Sequence, residues 1–95
     1  MLCLGRREGE SIAIGSNVEI TISRIAERKG EVDIQVSRGQ EISGGLRVKL
    51  GACGTLGVDG AKVGICVRRI QRRQVGLAIA APKEIVIVRT EVRDR

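Results

Sequence analysis

Two stretches of this chain lie over one another at an offset of 45 residues, "VEITISRI" (18–25) over "VGICVRRI" (63–70). In each, β-branched residues alternate with others: Val18, Ile20 and Ile22 in the first, Val63, Ile65 and Val67 in the second. A period of two sends one face into a core and the other to water, which marks a strand, not a helix. Each stretch leads through a turn, Arg28-Lys29-Gly30 or Arg72-Arg73, into a second alternating run: Val32, Ile34, Val36 or Val75, Leu77, Ile79. A chain that writes one hairpin twice is held to two related β units.

The repeat extends beyond the hairpins. Glu41-Ile42 lies over Glu84-Ile85, "LCLG" (2–5) over "VKLG" (48–51), and "SIAI" (11–14) over "TLGV" (55–58). The copies, 1–45 and 46–95, are degenerate in complementary ways. Copy one keeps Arg6-Arg7-Glu8-Gly9-Glu10 where copy two has only Ala52-Cys53-Gly54. Copy two keeps "EIVIVRTE" (84–91) where copy one has "EISGGLR" (41–47). Gly44-Gly45 suits a two-residue hairpin turn. Gly51, Gly54, Gly57 and Gly60 lack the spacing of a phosphate loop and read as two weak strands with loose turns. Ala81-Pro82 forces an extended corner, Ile85 and Ile87 begin a last strand ending at Arg89, and the charged tail 90–95 starts at most a short helix. The expectation from the residues is a single compact all-β domain over 1–95 that contains two degenerate copies, 1–45 and 46–95.

Composition narrows the function. No Phe, Tyr or Trp occurs, so the core is built from Val, Ile, Leu and Ala, and base stacking on aromatic platforms is excluded. A chain of 95 residues buries too little surface to be robust as an ordinary small monomer, so a dimer is the default expectation. The net charge of +6 points to an anionic partner, nucleic acid or membrane, beside the plainer reading of solubility alone. That charge is uneven: 1–45 carries 6 basic and 7 acidic residues, whereas 46–95 carries 11 and 4. With no His, no metal set and no nucleophile–base pair, no enzyme, metal or cofactor is expected. Cys3, Cys53 and Cys66 form no CxxC pair and read as small reduced hydrophobes in a cytoplasm. The opening apolar run is too short for a signal peptide, and no run reaches the ~18 residues of a membrane span.

"MLCLGRREGESIAIG" (1–15) and "APKEIVIVRTE" (81–91), with the "VxIxVxRI" hairpin before the latter, resemble the carbon storage regulator family of small bacterial RNA-binding translational regulators. One copy of the family covers about half the chain, and two cover nearly all of it. The resemblance implies interlocked five-stranded units whose RNA site forms where the first strand of one unit meets the fifth of the other. It also implies binding of a GGA motif in mRNA leaders or small regulatory RNAs, and a protein antagonist as a further partner. In a fused pair the intact first strand of copy one and the intact last strand of copy two make one retained site, from 1–7 and 84–89. The opposite site is converted into a linker at Ser43-Gly44-Gly45. The chain is then a monomeric pseudo-dimer, cytoplasmic and away from membranes.

By the same resemblance Leu4, Arg6 and Arg7 line one wall, and Ala81, Pro82, Lys83, Ile85, Ile87 and Arg89 the other. Guanidinium forks suit phosphate and guanine O6/N7, and exposed strand-edge backbone can read unpaired bases. Plainer readings stand beside these. One of Arg6 and Arg7 can simply pair with Glu8 or Glu91, Leu4, Ile85 and Ile87 can be core, and Pro82 can be a corner. Arg68, Arg69, Arg72 and Arg73 form either a solvated turn or an auxiliary phosphate arm. Gly5 and Val88 depart from the family, which commonly has a hydroxyl residue and a His there. Two other readings stay open: an RNA-binding homodimer of one unit with a ~45-residue insertion, and a decoy that titrates a family antagonist without binding RNA.

Overall fold

The computed structural model describes residues 1–90. Nine strands occur among them: β1 (Leu2–Arg7), β2 (Ser11–Ile14), β3 (Val18–Ala26), β4 (Glu31–Arg38), β5 (Glu41–Lys49), β6 (Cys53–Val58), β7 (Ala61–Gln71), β8 (Gln74–Ala80) and β9 (Ile87–Arg89). The helix expected within 90–95 lies, apart from Thr90, outside the described residues. No helix among the described residues is long and apolar enough to cross a membrane.

The strands form two antiparallel sheets, β1-β8-β7-β6 and β5-β4-β3-β2-β9. The two written-out hairpins, β3–β4 and β7–β8, lie in different sheets, and each sheet takes an end strand from the other copy. β1 pairs with β8 in the register Leu4↔Leu77, and β9 pairs with β2 in the register Ala13↔Val88. The inward positions read from the alternation, Val18 to Ile22, Val32 to Val36, Val63 to Val67 and Val75 to Ile79, supply most of one aliphatic core. Burying each such side chain is worth about 1.5–3 kcal/mol, so the core carries the fold without aromatics.

Both hairpins carry a bulge at the same place. The register shifts between Ile22 and Arg24 in β3, and between Val67 and Arg69 in β7. The extra residue, Ser23 or Arg68, returns Ile25 and Ile70 to the core side. Ile22 and Ile25, like Val67 and Ile70, are three positions apart, and only a bulge reconciles that spacing with one buried face.

The structure corrects four expectations. Gly44-Gly45 is not a turn and not a linker. Both lie inside β5, pairing with Val36 and Gln35, and the turn before them uses Gly39 at φ 65°. A Cβ on Gly45 would approach the Ile34 carbonyl oxygen to 3.1 Å, so close backbone contact with β4, not turn geometry, explains that glycine. The glycine-rich stretch holds a tight turn, since Asp59 and Gly60, both at positive φ, join β6 to β7 in two residues. The last strand begins at Ile87, not at Ile85. Ile85 donates its N–H to the Pro82 carbonyl in a turn, and its side chain is buried in the core. Finally, Cys53 and Cys66 are not separate thiols. They face each other across β6–β7 with Cα atoms 4.0 Å apart and are joined by a disulfide, which leaves Cys3 as the free, exposed cysteine. Direct opposition in a ladder, invisible at a separation of 13 residues, is what pairs them.

Candidate nucleic-acid interface

β1 is the outer strand of one sheet and β9 of the other. Their ends converge on one acceptor. The Ser11 carbonyl accepts from Arg6 Nη1 at 3.4 Å and from Thr90 Oγ1 at 3.2 Å, although Thr90 and Ser11 are 79 positions apart. Pairing Ile12↔Arg89 sets Arg89 on the same face of its sheet as Ile12 and Ile87, the face turned toward the core. Being at a strand edge, its side chain nevertheless stays exposed.

Arg6 and Arg7 point in opposite directions because neighbours in a strand alternate faces. Arg6 is 4% exposed. Its Nε donates to the Gly5 carbonyl at 2.7 Å, and Glu10 Oε1 lies 3.7 Å away. The arginine expected on the surface of the site is thus a buried strut behind it, and Glu10 is an acidic neighbour among the described residues. Arg7 is exposed. Its backbone N–H donates to Glu10 Oε1 at 2.8 Å and its carbonyl accepts from the Glu10 N–H, which closes the loop after β1.

On the other wall, Pro82, Lys83 and Arg89 are exposed, Ala81 and Ile87 are half-buried against the core, and Ile85 is wholly core. The Val86 carbonyl accepts from the Gly15 N–H at 2.8 Å, which ties the stretch before β9 to the β2–β3 turn. Leu4 is half-buried and packs on the core, while Leu2 beside it is exposed. Val86, 64% exposed, adds an apolar side chain that the sequence reading passed over.

The outer face of β1 continues into an open groove of about 760 Å³. Gly5 and Gly76, directly opposed in β1–β8, line it, and Arg68, Arg69 and Arg72 add positive charge. A Cβ on Gly5 would run into the Gln74 carboxamide, so glycine at this departure from the family pattern makes room for that side chain. Arg72 and Arg73 form a two-residue turn with φ of 54° and 63°. Such turns favour Asn and Gly, and arginines in this conformation are strained by about 1 kcal/mol or more each. The Arg73 N–H donates to Glu27 Oε1 at 3.0 Å, fastening this turn to the β3–β4 turn. Three of the four hairpin arginines therefore border the groove, while the backbone of the fourth is held on Glu27.

At the other end of the larger sheet the charges are paired. Arg47 on β5 forks onto Asp33 on β4, Nε to Oδ1 at 2.8 Å and Nη2 to Oδ2 at 3.5 Å. The hydrogen bond from Arg47 holds the Asp33 carboxyl below its ordinary range, helped by the charges of Arg47 and Arg24.

Thr90, Ser11, Gln74 and Gly76 belong to this region and were not singled out from sequence. Their roles follow from register between distant strands, which no local pattern encodes. Against known proteins, residues 1–44 match the model of a family described as CsrA, a global regulator protein family. No curated protein and no solved structure matches the chain.

Proposed function

Because its first 44 residues make the chain a member of the carbon storage regulator family of global regulators, we propose that it binds single-stranded or hairpin-loop RNA carrying GGA and regulates translation of the bound mRNA. The observation that carries this reading is the shared Ser11 carbonyl, where Arg6 behind β1 and Thr90 beyond β9 meet. It supports one site made from both ends of the chain, with a single chain acting as a pseudo-dimer.

In this reading Arg7, Arg89 and Lys83 are the exposed cations that meet phosphates or guanine edges. Leu4, Ala81, Pro82, Ile87, Leu2 and Val86 offer apolar surface to unstacked bases, and guanidinium planes take the place of aromatic rings. Arg6 positions β1 and does not touch RNA, and Ile85 holds the turn under the site. The groove bordered by Arg68, Arg69 and Arg72 receives backbone phosphates beyond the core motif. Its contribution is electrostatic and therefore indifferent to sequence.

A filter-binding titration tests the proposal with a GGA hairpin and the same hairpin changed to CCA. Tight binding to the first and a loss of about tenfold or more with the second is expected, since a mismatched contact costs about 1–3 kcal/mol. Equal affinity for both hairpins, or none for either, refutes it. Replacing all four hairpin arginines with Gln should flatten the salt dependence and leave the GGA preference intact.

A further inference from the structure

The two sheets differ by one strand. In the internal repeat β6 corresponds to β2, and the outer edge of β2 is covered by β9. The outer edge of β6 is covered by no strand among the described residues. Copy one no longer has the strand that would lie there, because its residues 41–47 run within β5.

The two-residue turn Asp59-Gly60 makes Val58↔Ala61 a hydrogen-bonded pair, and pairs alternate from there. Leu56 and Gly54 therefore direct their N–H and C=O groups at β7, and Gly57, Thr55 and Cys53 direct theirs outward. Two contacts agree with this parity. The Gly57 carbonyl accepts from Arg38 Nη1 at 2.9 Å, which requires it to face away from β7. The Cα separation of 4.0 Å at Cys53↔Cys66 is the short spacing of a pair without backbone hydrogen bonds.

Exposed edges are commonly protected by charge, proline or a bulge. β6, "CGTLGV", has no charged residue, no proline and an unbroken register with β7. The Cys53–Cys66 disulfide fastens this edge strand to its single neighbour. The outward groups are also symmetric about Thr55.

We propose that the outer edge of β6 pairs antiparallel with the same edge of a second copy of this chain, about a two-fold axis at Thr55. Thr55 then exchanges two backbone hydrogen bonds with its equivalent, and Cys53 exchanges two with the partner's Gly57. The Gly57 carbonyl has a second lone pair beside the one that Arg38 uses. The product is one continuous eight-stranded sheet. Three outward-facing residues per chain make a weak interface, so assembly depends on concentration. β1 occupies the opposite edge of the same sheet, so both ends of the dimer keep it open. Under the RNA reading, pairing gives a bivalent particle in place of the second site that fusion removed, with avidity for RNAs carrying two motifs.

Sedimentation equilibrium of the RNA-free protein, from low micromolar to near-millimolar concentration, tests the pairing. The mass should rise from 10.2 kDa toward twice that value. Thr55→Pro removes an outward N–H without removing a bond to β7, and Thr55→Lys sets like charges opposite each other at about 5 Å. Either variant should stay at the monomer mass, with its far-ultraviolet circular dichroism unchanged. If Thr55→Pro fails to fold, Thr55→Lys decides. A parent that stays at 10.2 kDa throughout, or a folded Thr55→Lys protein that associates as the parent does, overturns the proposal. Neither result bears on GGA binding, which the hairpin titration measures separately.

Discussion

Replacing Arg6 and Arg7 with alanine, one at a time, separates two jobs that adjacent identical residues conceal. Arg6→Ala removes a 2.7 Å charge-assisted hydrogen bond to Gly5 and a longer one of 3.4 Å to Ser11. Hydrogen bonds from charged groups contribute about 1.5–3 kcal/mol each, and the longer contact is worth less. Ser11 keeps the Thr90 hydroxyl, whereas the Gly5 carbonyl loses the donor that Arg6 supplies, and the Glu10 side chain is 42% exposed, so losing its cation at 3.7 Å costs little. The expected loss is about 2–3 kcal/mol. With a urea dependence of about 1–3 kcal/mol per molar, the unfolding midpoint falls by about 0.7–3 M. Arg7→Ala removes an exposed side chain and leaves the Glu10 backbone contacts in place, so its midpoint should move by less than about 0.5 kcal/mol equivalent. In RNA titrations the order reverses: folded Arg7→Ala binds more weakly, with a salt slope reduced by about one. Urea unfolding followed by circular dichroism decides the matter. Equal midpoints for the parent and Arg6→Ala, or an equally large fall for Arg7→Ala, refute the assignment of strut and contact.

Three further outcomes are expected. Arg89→Ala should weaken GGA-hairpin binding by roughly 1–3 kcal/mol, whereas Arg47→Ala, on β5 and paired with Asp33, should leave it unchanged; equal losses in the titration would place the site wrongly. Replacing Cys53 and Cys66 together with alanine opens a crosslink across 13 residues and should cost about 3 kcal/mol, read as a lower melting temperature that reductant reproduces in the parent. Asp33 titrates below its ordinary value in the folded chain, so its stabilisation is complete above the unfolded carboxyl pKa of about 3.9 and is lost as pH falls through the lower, folded one. In Arg47→Ala the Asp33 carboxyl should titrate closer to its ordinary value, as followed by NMR.

Alternation alone determined much of this protein. Val18 to Ile22, Val32 to Val36 and their counterparts in copy two form strands and fill the core as their period demands, because one-sided burial is a local property of a strand. The repeat also contained the two bulges, since Ile22 and Ile25 are spaced by three, as are Val67 and Ile70. Glycine was the misleading signal: Gly44-Gly45 carries the composition of a turn, yet it pairs with Val36 and Gln35 inside β5, and Gly45 leaves room for the Ile34 carbonyl. The tertiary structure alone decided what depends on which strands lie side by side. Register joined Cys53 to Cys66, buried Arg6 while leaving Arg7 outside, set Gly5 against Gly76, and brought Thr90 to Ser11. Side-chain period is written residue by residue along the chain. Pairing between distant strands is settled only when the whole core closes, so the same residue types take opposite roles according to their neighbours across the sheet.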